Sequence, residues 1–325
     1  MERLEYMELN KYRDIALSAI NMYDFKSSQI EFLVEETNVI YKVHTKEGDY
    51  ALKIFEEASS CLEDNKAEAY FLDLVDKKTN LSFPKLVKNK EGCSVTSVYC
   101  DSEDIYKRIM IYKWMAGKDH DKRESIRSFE TLGETLAKLH EATFGEALHD
   151  LKPKRWNKVF FYKDEVAVYH KIKYENFIDK ELKRLLDKII PILNESLDKI
   201  YCMYDSQLIH GDLNPWNIKV SEDDLFLIDY EEAMLGCPLH DLATLLYYYT
   251  HHNKWSYDEV KDAFIRGYHR LREFDFNDDL IEDLIIARRV NFINYVLIIR
   301  ENPRDFINKS VPLLKAYLNK RGLYE

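Results

Sequence analysis

Several features that would mark a secreted or membrane protein are missing from this sequence. The five cysteines are odd in number, scattered and without a CxxC pair, which argues against a disulfide framework or a zinc site. No apolar run approaches the roughly 18 residues that cross a bilayer. The start of the chain carries frequent charges and lacks the apolar core of a signal peptide. We therefore expect a cytoplasmic protein that does not associate with membranes.

Basic charge is also scarce in this chain. The 47 lysines and arginines are outnumbered by 58 aspartates and glutamates, which gives a formal net charge of -11. Because nucleic-acid binding requires a basic surface, no nucleic-acid partner is expected. The 325 residues, 46% of them hydrophobic, are enough for one large domain or two smaller ones.

The N-terminal third of the sequence predicts a small antiparallel sheet with helices. Residues 29–55 alternate between apolar and polar side chains and are rich in β-branched and aromatic residues. They predict three strands, with "TKEG" as a hairpin turn. Apolar residues at helical spacing predict helices at 10–22 and 63–78, and two more strands are predicted at 93–100 and 107–114.

The rest of the chain is predominantly helical by its pattern. Helices are predicted at 125–143 and 179–201, with Pro191 marking a kink or break, and further helices fill residues 239–320. A short strand is predicted at 225–230. Since the last strand of the first third gives way to Gly117, we predict three parts. These are an N-terminal lobe (1–112), a hinge (113–117) and a C-terminal lobe (118–325).

The most informative stretch is "LIHGDLNPWNIKV", residues 208–220, where a polar loop is flanked by apolar residues on both sides. Asp212 and Asn217 could be ordinary turn formers. Alternatively, they could face one cleft together with Asp229 of the next strand. Phosphoryl transfer requires a carboxylate for the incoming hydroxyl and oxygen ligands for Mg²⁺. The presence of "LFLIDYEE" shortly after the loop favours catalysis.

A lysine and a glutamate earlier in the chain support the same chemistry. In kinases, a lysine on a strand contacts the nucleotide phosphates and is held by a glutamate on the neighbouring helix. "YALKIF" supplies Lys53 in an otherwise apolar strand, and Glu68 lies on the following predicted helix. Either residue alone would more often be a solvated charge or a surface ion pair. Their order relative to the other motifs favours the functional interpretation.

These segments resemble the aminoglycoside phosphotransferase and choline kinase family, which includes homoserine-kinase-II-like and stress-response-kinase-like members. "HGDLNPWN" matches the family's H-G-D-x-x-x-x-N loop, and "IDYE" resembles its metal-binding segment. "LGETLAKLHEAT" and "GCPLHDLATLL" are similar to two further family segments. The matches run in family order from about residue 33 to 250. The resemblance implies an α+β, bilobal protein-kinase-like fold, with a small antiparallel β-rich N-lobe and a large, mainly helical C-lobe.

The resemblance also implies a role for each matched residue. Asp212 would be the catalytic base or the group that orients the hydroxyl. Asn217 and Asp229 would be Mg²⁺ ligands. Lys53 would be the phosphate lysine, and Glu68 would tether it. The implied cofactors are ATP, or GTP, and Mg²⁺.

Further residues receive supporting roles. "YKWMAG" aligns with the family's hinge, so the backbone of Lys113 and Met115 would contact adenine. His210 would be structural and would order the loop beneath Asp229, and Asp241 would be a buried acceptor that braces the loop. Trp216 has no role in the motif, and we expect it to pack beneath the loop.

Departures from the protein-kinase pattern favour a small acceptor. The sequence contains no G-x-G-x-x-G, so phosphate cover would come from Thr37, Asn38 or main-chain amides of "VEETN". Only eleven residues separate Asp229 from Asp241, which leaves no room for a long activation segment. A small-molecule pocket is therefore favoured over a platform for a protein substrate.

The acceptor stays open among an aminoglycoside, a choline-like amine, homoserine and similar hydroxyl compounds. One alternative is a protein Ser/Thr kinase of the bacterial stress-response type, because residues 287–297 are similar to that branch. Another is a non-catalytic scaffold like the spore-coat members of the superfamily. The presence of all four residues Lys53, Asp212, Asn217 and Asp229 argues against this alternative. The oligomeric state is not predicted.

Overall fold

The structure of the chain is a computed structural model, and it describes residues 12–26, 29–58, 60–160, 166–221 and 224–324. The start of the chain, on which the signal-peptide expectation rests, and the first two residues of the helix predicted at 10–22 lie outside this description. The chain forms two compact units, each built from separate stretches of sequence. Unit 1 comprises residues 1–123, 147–153 and 216–233; unit 2 comprises 124–146, 154–215 and 234–325. The role of residues 113–117 as a hinge stays a prediction.

Unit 1 is built on a six-stranded antiparallel sheet in the order β1-β2-β3-β6-β4, with β5 also paired to β6. In the described part of unit 1, residues 12–20 form helix α1, and a longer helix, α2, spans Leu62–Lys78. The strands are β1 (Gln29–Glu35), β2 (Asn38–Thr45), β3 (Gly48–Phe55), β4 (Leu86–Val87), β5 (Thr96–Cys100) and β6 (Ile105–Lys113).

The alternating pattern of the sequence explains the core of this sheet. Val39 and Tyr41 of β2 are buried and stand opposite Ile54 and Leu52 of β3, which are also buried. Buried residues of α1, including Ile15, pack into the same core. Because every second side chain of a strand points to one face, this pattern fixes the register of the hairpin. The three strands predicted within residues 29–55 are confirmed.

Unit 1 also contains a small three-stranded antiparallel sheet in the order β10-β9-β7. Its strands are β7 (Lys118–Asp119), β9 (Ile218–Val220) and β10 (Leu225–Leu227). β9 and β10 form a hairpin in which Val220 is paired with Leu225 and Ile218 with Leu227. The strand predicted at 225–230 is therefore shorter than expected, because the chain leaves the ladder after Leu227.

Unit 2 is mainly helical. Its helices are α3 (Ile126–Thr143), α4 (Lys180–Met203), α5 (Pro238–Tyr249), α6 (Tyr257–Tyr268), α7 (Asp278–Ile299) and α8 (Arg304–Lys320). A two-stranded antiparallel sheet joins β8 (Gln207–Ile209) to β11 (Met234–Gly236). Among the described residues, no helix is both long enough and apolar enough to cross a bilayer.

Pro191 does not break α4, so that alternative of the prediction is wrong, and the other alternative, a kink at Pro191, stays a prediction. The helix continues through the proline to Met203. Leu186, Ile189 and Leu193 are buried on both sides of it, so a continuous apolar stripe packs the helix against its neighbours. Tertiary packing of this stripe outweighs the hydrogen bond that proline cannot donate.

Two glycines allow α3 and α6 to approach each other closely. A Cβ on Gly133 would collide with the backbone oxygen of Phe264 and come within 2.8 Å of the Tyr268 nitrogen. A Cβ on Gly267 would collide with the backbone of Glu130. Glycine is therefore required at both positions because of the neighbouring backbone, although glycine disfavours helix formation.

Candidate active site

The polar loop of unit 2 begins where β8 ends, and the N-terminal turn of α5 holds it in place. The Asp241 carboxylate accepts hydrogen bonds from the backbone N–H of His210 at 3.1 Å and of Gly211 at 2.8 Å. Gly211 has a φ of +79°, a conformation that side chains other than glycine rarely adopt. The prediction that Asp241 is a buried acceptor bracing the loop is confirmed.

Asp241 is in turn held by a buried histidine of α3. His140 Nε2 lies 2.9 Å from Asp241 Oδ2, and its Nδ1 lies 3.0 Å from the Tyr268 hydroxyl. Burial raises the pKa of the Asp241 carboxyl, but its contacts with His140 and the Gly211 N–H outweigh burial and hold the pKa below the ordinary value. Burial lowers the pKa of His140. Asp241 is therefore an ionised acceptor at the centre of a packed polar network.

Asp212 follows directly after His210 and Gly211, and hydrogen bonds within unit 2 hold both its backbone and its side chain. Its backbone N–H donates to His210 Nδ1 at 3.3 Å. Its Oδ2 accepts a hydrogen bond from the Asn214 side chain at 2.7 Å, and its Oδ1 accepts one from Arg288 Nη2 at 2.7 Å. His210 thus orders the loop, as predicted. The side chain of Asp212 remains a quarter exposed.

Arg288 of α7 did not emerge from the sequence as a site residue. It lies 76 positions from Asp212, so no local pattern connects the two. The available signal is that Arg288 directly follows the apolar run of residues 284–287 in α7, where a charge requires a specific partner.

In unit 1, the strand lysine is held by two acids that follow β10. Lys53 Nζ lies 2.7 Å from Asp229 Oδ1 and forms a second ion pair with Glu231, and its side chain is 7% exposed. Burial alone would lower the pKa of the Lys53 ammonium. The carboxylates of Asp229, Glu231 and Glu68 outweigh burial and hold this pKa above its ordinary value. Lys53 is therefore a fixed positive charge.

Asn217 and Asp229 lie at the same end of the β9–β10 hairpin. Beyond the Ile218–Leu227 pair, the Ile228 N–H donates to the Asn217 carbonyl at 2.9 Å. Asn217 immediately precedes β9, and Asp229 closely follows β10 with a φ of +63°, which is unusual for a residue with a side chain. The two side chains supply an amide oxygen and a carboxylate, the hard oxygen ligands that Mg²⁺ prefers.

Glu231 is a second residue that the sequence did not single out as the partner of Lys53. It accepts a hydrogen bond of 2.7 Å from the Asn38 side chain, in the segment considered for phosphate cover. Burial raises the pKa of its carboxyl, although Lys53 acts in the opposite direction. Glu231 thus connects the beginning of β2 to the lysine of β3.

Glu68 lies on α2 with only 1% of its surface exposed. Its Oε1 accepts a hydrogen bond of 2.7 Å from the Tyr112 hydroxyl, and its buried Oε2 has no hydrogen-bond partner among the described residues. Burial raises the pKa of this carboxyl from 4.5 to about 7, against the lowering effect of Lys53. No ion pair joins Glu68 to Lys53 in the described part of the chain, and the tether role stays a prediction.

The segment aligned with the hinge leaves the end of β6. The Lys113 N–H donates to the Lys85 carbonyl at 2.7 Å, and the Trp114 N–H donates to the Asp49 carbonyl at 3.0 Å. Met115 is partly buried and lies outside regular secondary structure. Because the Lys113 N–H is occupied, its carbonyl is the group that could meet an adenine, and that contact stays a prediction.

Trp216 is not packed beneath the loop, and that expectation is wrong. The residue is 54% exposed, whereas Leu213 and Ile218 on either side of it are fully buried. The apolar positions of the segment are taken by these two aliphatic residues, so the indole stays at the surface.

Comparison with known proteins places the chain in a family. The model of the phosphotransferase enzyme family matches residues 30–275, which is about three quarters of the chain. The homoserine kinase of Methylobacillus flagellatus is 26% identical over 247 residues, covering 73% of this chain and 68% of that one. The RIO-type serine/threonine-protein kinase Rio1 of Methanocaldococcus jannaschii is 23% identical over 212 residues, covering 58% of this chain and 70% of that one.

A solved structure shares the fold. Amicoumacin kinase hAmiN, in complex with AMP-PNP, Ca²⁺ and Ami, superposes with a TM-score of 0.76 at 19% identity, covering 96% of this chain and 94% of that one. The α+β, protein-kinase-like fold predicted from the sequence is confirmed. The family model matches well over half of the chain, and the chain belongs to the phosphotransferase enzyme family and is a kinase.

Proposed function

We propose that this kinase transfers the γ-phosphoryl group of ATP or GTP to a hydroxyl group of a small molecule, with Mg²⁺ as the metal. The observation that carries the proposal is the pairing of the buried Lys53 with Asp229, at the end of the hairpin that also presents Asn217. A lysine that is permanently charged beside oxygen ligands is suited to holding a nucleotide with its metal ion.

The residues of unit 1 would bind the nucleotide. Lys53 would contact the α- and β-phosphates, and the carbonyl of Lys113 and the backbone of Met115 would contact the base. Asn217 and Asp229 would hold the Mg²⁺ ion, which when bound neutralises charge on the phosphates. Among the described residues, no cluster of three or more His, Cys, Asp or Glu could hold a metal ion. This fits Mg²⁺, since kinases bind it through one or two carboxylates together with the substrate phosphates.

Asp212 of unit 2 would act on the acceptor. As the hydroxyl oxygen forms a bond to the γ-phosphorus, the bond from that phosphorus to the β–γ bridging oxygen breaks, and the nucleoside diphosphate leaves. The hydroxyl proton passes to the Asp212 carboxylate, which the brace formed by Asp241 and His210 holds in place.

The choice of a small acceptor rests on the short connection after Asp229. Residues 230–233 lead directly into β11, and α5 begins at Pro238, so no long activation segment is present there. The homoserine kinase and amicoumacin kinase matches support the same choice. All five cysteines are free, which fits the reducing cytoplasm in which we propose that the reaction takes place.

The test is an ATP-consumption screen over hydroxyl metabolites, amino alcohols and aminoglycosides, repeated with GTP. For any accepted compound, Asp212→Asn should lower kcat about 10²- to 10⁴-fold, the usual contribution of a positioned acid–base group. Asp205→Asn, which changes an exposed acid seven positions earlier, is the matched control and should retain full activity. Equal turnover by the wild type and Asp212→Asn would refute the assignment of the base.

A protein acceptor is the second candidate, favoured by the match to the Rio1 kinase. Transfer of ³²P from ATP to proteins of a lysate, with no transfer to any compound of the screen, would support it. Absence of Mg²⁺–ATP binding in calorimetry would instead contradict both kinase proposals and favour a scaffold.

A further inference from the structure

The ion pair between Asp212 and Arg288 is a specific feature of unit 2 that the reaction outlined above does not use. Arg288 Nη2 lies 2.7 Å from Asp212 Oδ1 and 3.5 Å from the Tyr248 hydroxyl. The guanidinium carbon lies 5.2 Å from the ring centroid of Phe292 and 5.9 Å from that of Tyr247. Aromatic rings thus hold the cation beside the carboxylate that would receive the acceptor proton.

The hydrogen-bonding capacity of Arg288 is only partly used. A guanidinium carries five N–H donors, and the described contacts of Arg288 both involve Nη2. Nε is buried and has no hydrogen-bond partner among the described residues. Nη1 likewise makes no hydrogen bond to any residue in the described ranges. Nη1 therefore has donors for an anionic group, because guanidinium N–H groups form strong charge-assisted hydrogen bonds with carboxylates.

The positive charge of Arg288 also favours an anionic group in the acceptor. Asp212 is the one carboxylate that forms an ion pair with Arg288 in the part of the chain that the structure describes. The next residue, Arg289, stacks 4.6 Å from the ring centroid of Tyr247 and has no carboxylate partner among the described residues. Arg289 also lines a cavity that contains three acids, Asp258, Asp278 and Glu282, so we assign an effect on the acceptor to Arg288 alone. A cationic group placed beside the guanidinium of Arg288 would be repelled, whereas an anionic group would be attracted.

We propose that the acceptor carries a carboxylate within a few bonds of its reactive hydroxyl, and that Arg288 binds this carboxylate with donors that Asp212 does not occupy. The acceptor class is then a small hydroxy acid or hydroxy amino acid. This inference rests on the proposed kinase function and on Asp212 as the base. One guanidinium would hold both the base and the substrate anion, so the hydroxyl is positioned relative to the carboxylate that deprotonates it.

The test compares acceptors that differ only in the carboxylate. Two suitable pairs are L-homoserine with 3-aminopropan-1-ol, and D-glycerate with glycerol. The wild type should prefer the acid of at least one pair by about 10- to 100-fold in kcat/KM, the effect of a charge-assisted hydrogen bond. Arg288→Gln should reduce this preference to within about threefold, mainly by raising KM for the acid, and Arg288→Lys should retain part of it.

A matched control separates substrate binding from a merely structural role. Arg300→Gln removes an exposed arginine just beyond the end of the same helix and should leave the preference unchanged. If Arg288 only positions Asp212, Arg288→Gln will lower kcat equally for both members of a pair and keep their ratio, which would overturn the inference. Melting temperature and Mg²⁺–ATP binding of each variant show whether it is folded.

The wild-type screen alone also decides the question if Arg288→Gln does not fold. Phosphorylation of amino alcohols or aminoglycosides, with no preference for either acid, would overturn the carboxylate inference but leave the kinase proposal standing. Failure to phosphorylate any hydroxyl compound would overturn the small-molecule proposal itself. Phosphorylation confined to hydroxy acids would support both.

Discussion

The buried Glu68 carboxyl offers a prediction about stability that needs no substrate. Glu68 is 1% exposed, and burial raises its pKa from 4.5 to about 7. The folded state therefore binds this proton more tightly than the unfolded chain does. Below pH 4.5 the carboxyl is neutral in both states and has no effect on the pH dependence of stability. As the pH rises from 4.5 to 7, the folded state becomes progressively less stable, by about 3 kcal/mol in total.

Glu68→Gln removes this titration and retains an oxygen that can accept the Tyr112 hydroxyl hydrogen bond. The variant should match the wild type near pH 4.5 and exceed it by about 3 kcal/mol in unfolding free energy above pH 7.5. Urea denaturation followed by circular dichroism at half-unit steps of pH measures the difference. Glu63→Gln, at an exposed position in the first turn of the same helix, should show no such trend.

The result that would refute this reasoning is a difference between Glu68→Gln and the wild type that does not change with pH. Such a result would mean that Glu68 is ionised in the folded protein throughout this range. A direct ion pair with Lys53 is the simplest cause of that ionisation, so the measurement also tests the predicted tether. An NMR titration of the Glu68 side-chain carbon gives the same answer independently.

Two further substitutions test the nucleotide cluster and the helix packing. Lys53→Gln should raise the dissociation constant for Mg²⁺–ATP in calorimetry by about 10-fold or more, because a charge-assisted contact to phosphate is lost, whereas Lys46→Gln in the exposed β2–β3 turn should not. Equal affinities would contradict the phosphate role. Gly267→Ala should lower stability by about 1 to 3 kcal/mol, because the new Cβ meets the backbone of Glu130, although alanine normally favours a helix by about 1 kcal/mol. A melting temperature equal to or above that of the wild type would contradict the close contact.

The long, periodic elements could be predicted from the sequence, and the short ones could not. β2 and β3 have eight residues each, enough for alternation to show which face is buried. β7 and β9 have two and three residues and carry no recognisable period. They form because β10 provides a partner for β9, and β9 for β7, which is a tertiary cause.

In the candidate site, too, the sequence reveals groups that lie close together along the chain, but not pairs of residues that lie far apart. Asp212 and Asn217 lie in one loop, so their spacing made them candidates for the site. Spacing in the sequence could not identify the ion-pair partners of the charged residues. Glu68 lies on the helix after β3 and Glu231 lies shortly after β10, and spacing does not decide which of them pairs with Lys53. The structure pairs Lys53 with Glu231, an acid 178 positions away, because β10 and the loop after it return to unit 1.

The charge pairs within each unit explain how these functional groups are held before any ligand binds. A buried lysine or arginine without a counter-charge would destabilise the fold, so Lys53 is paired with Asp229 and Glu231, and Arg288 with Asp212. A triphosphate would offer Lys53 the same kind of charge as those carboxylates, and Mg²⁺ would replace the ammonium beside Asp229. If the acceptor is a hydroxy acid, its carboxylate would share Arg288 with Asp212. Binding would then exchange one set of ion pairs for another, with little net cost of removing charges from water.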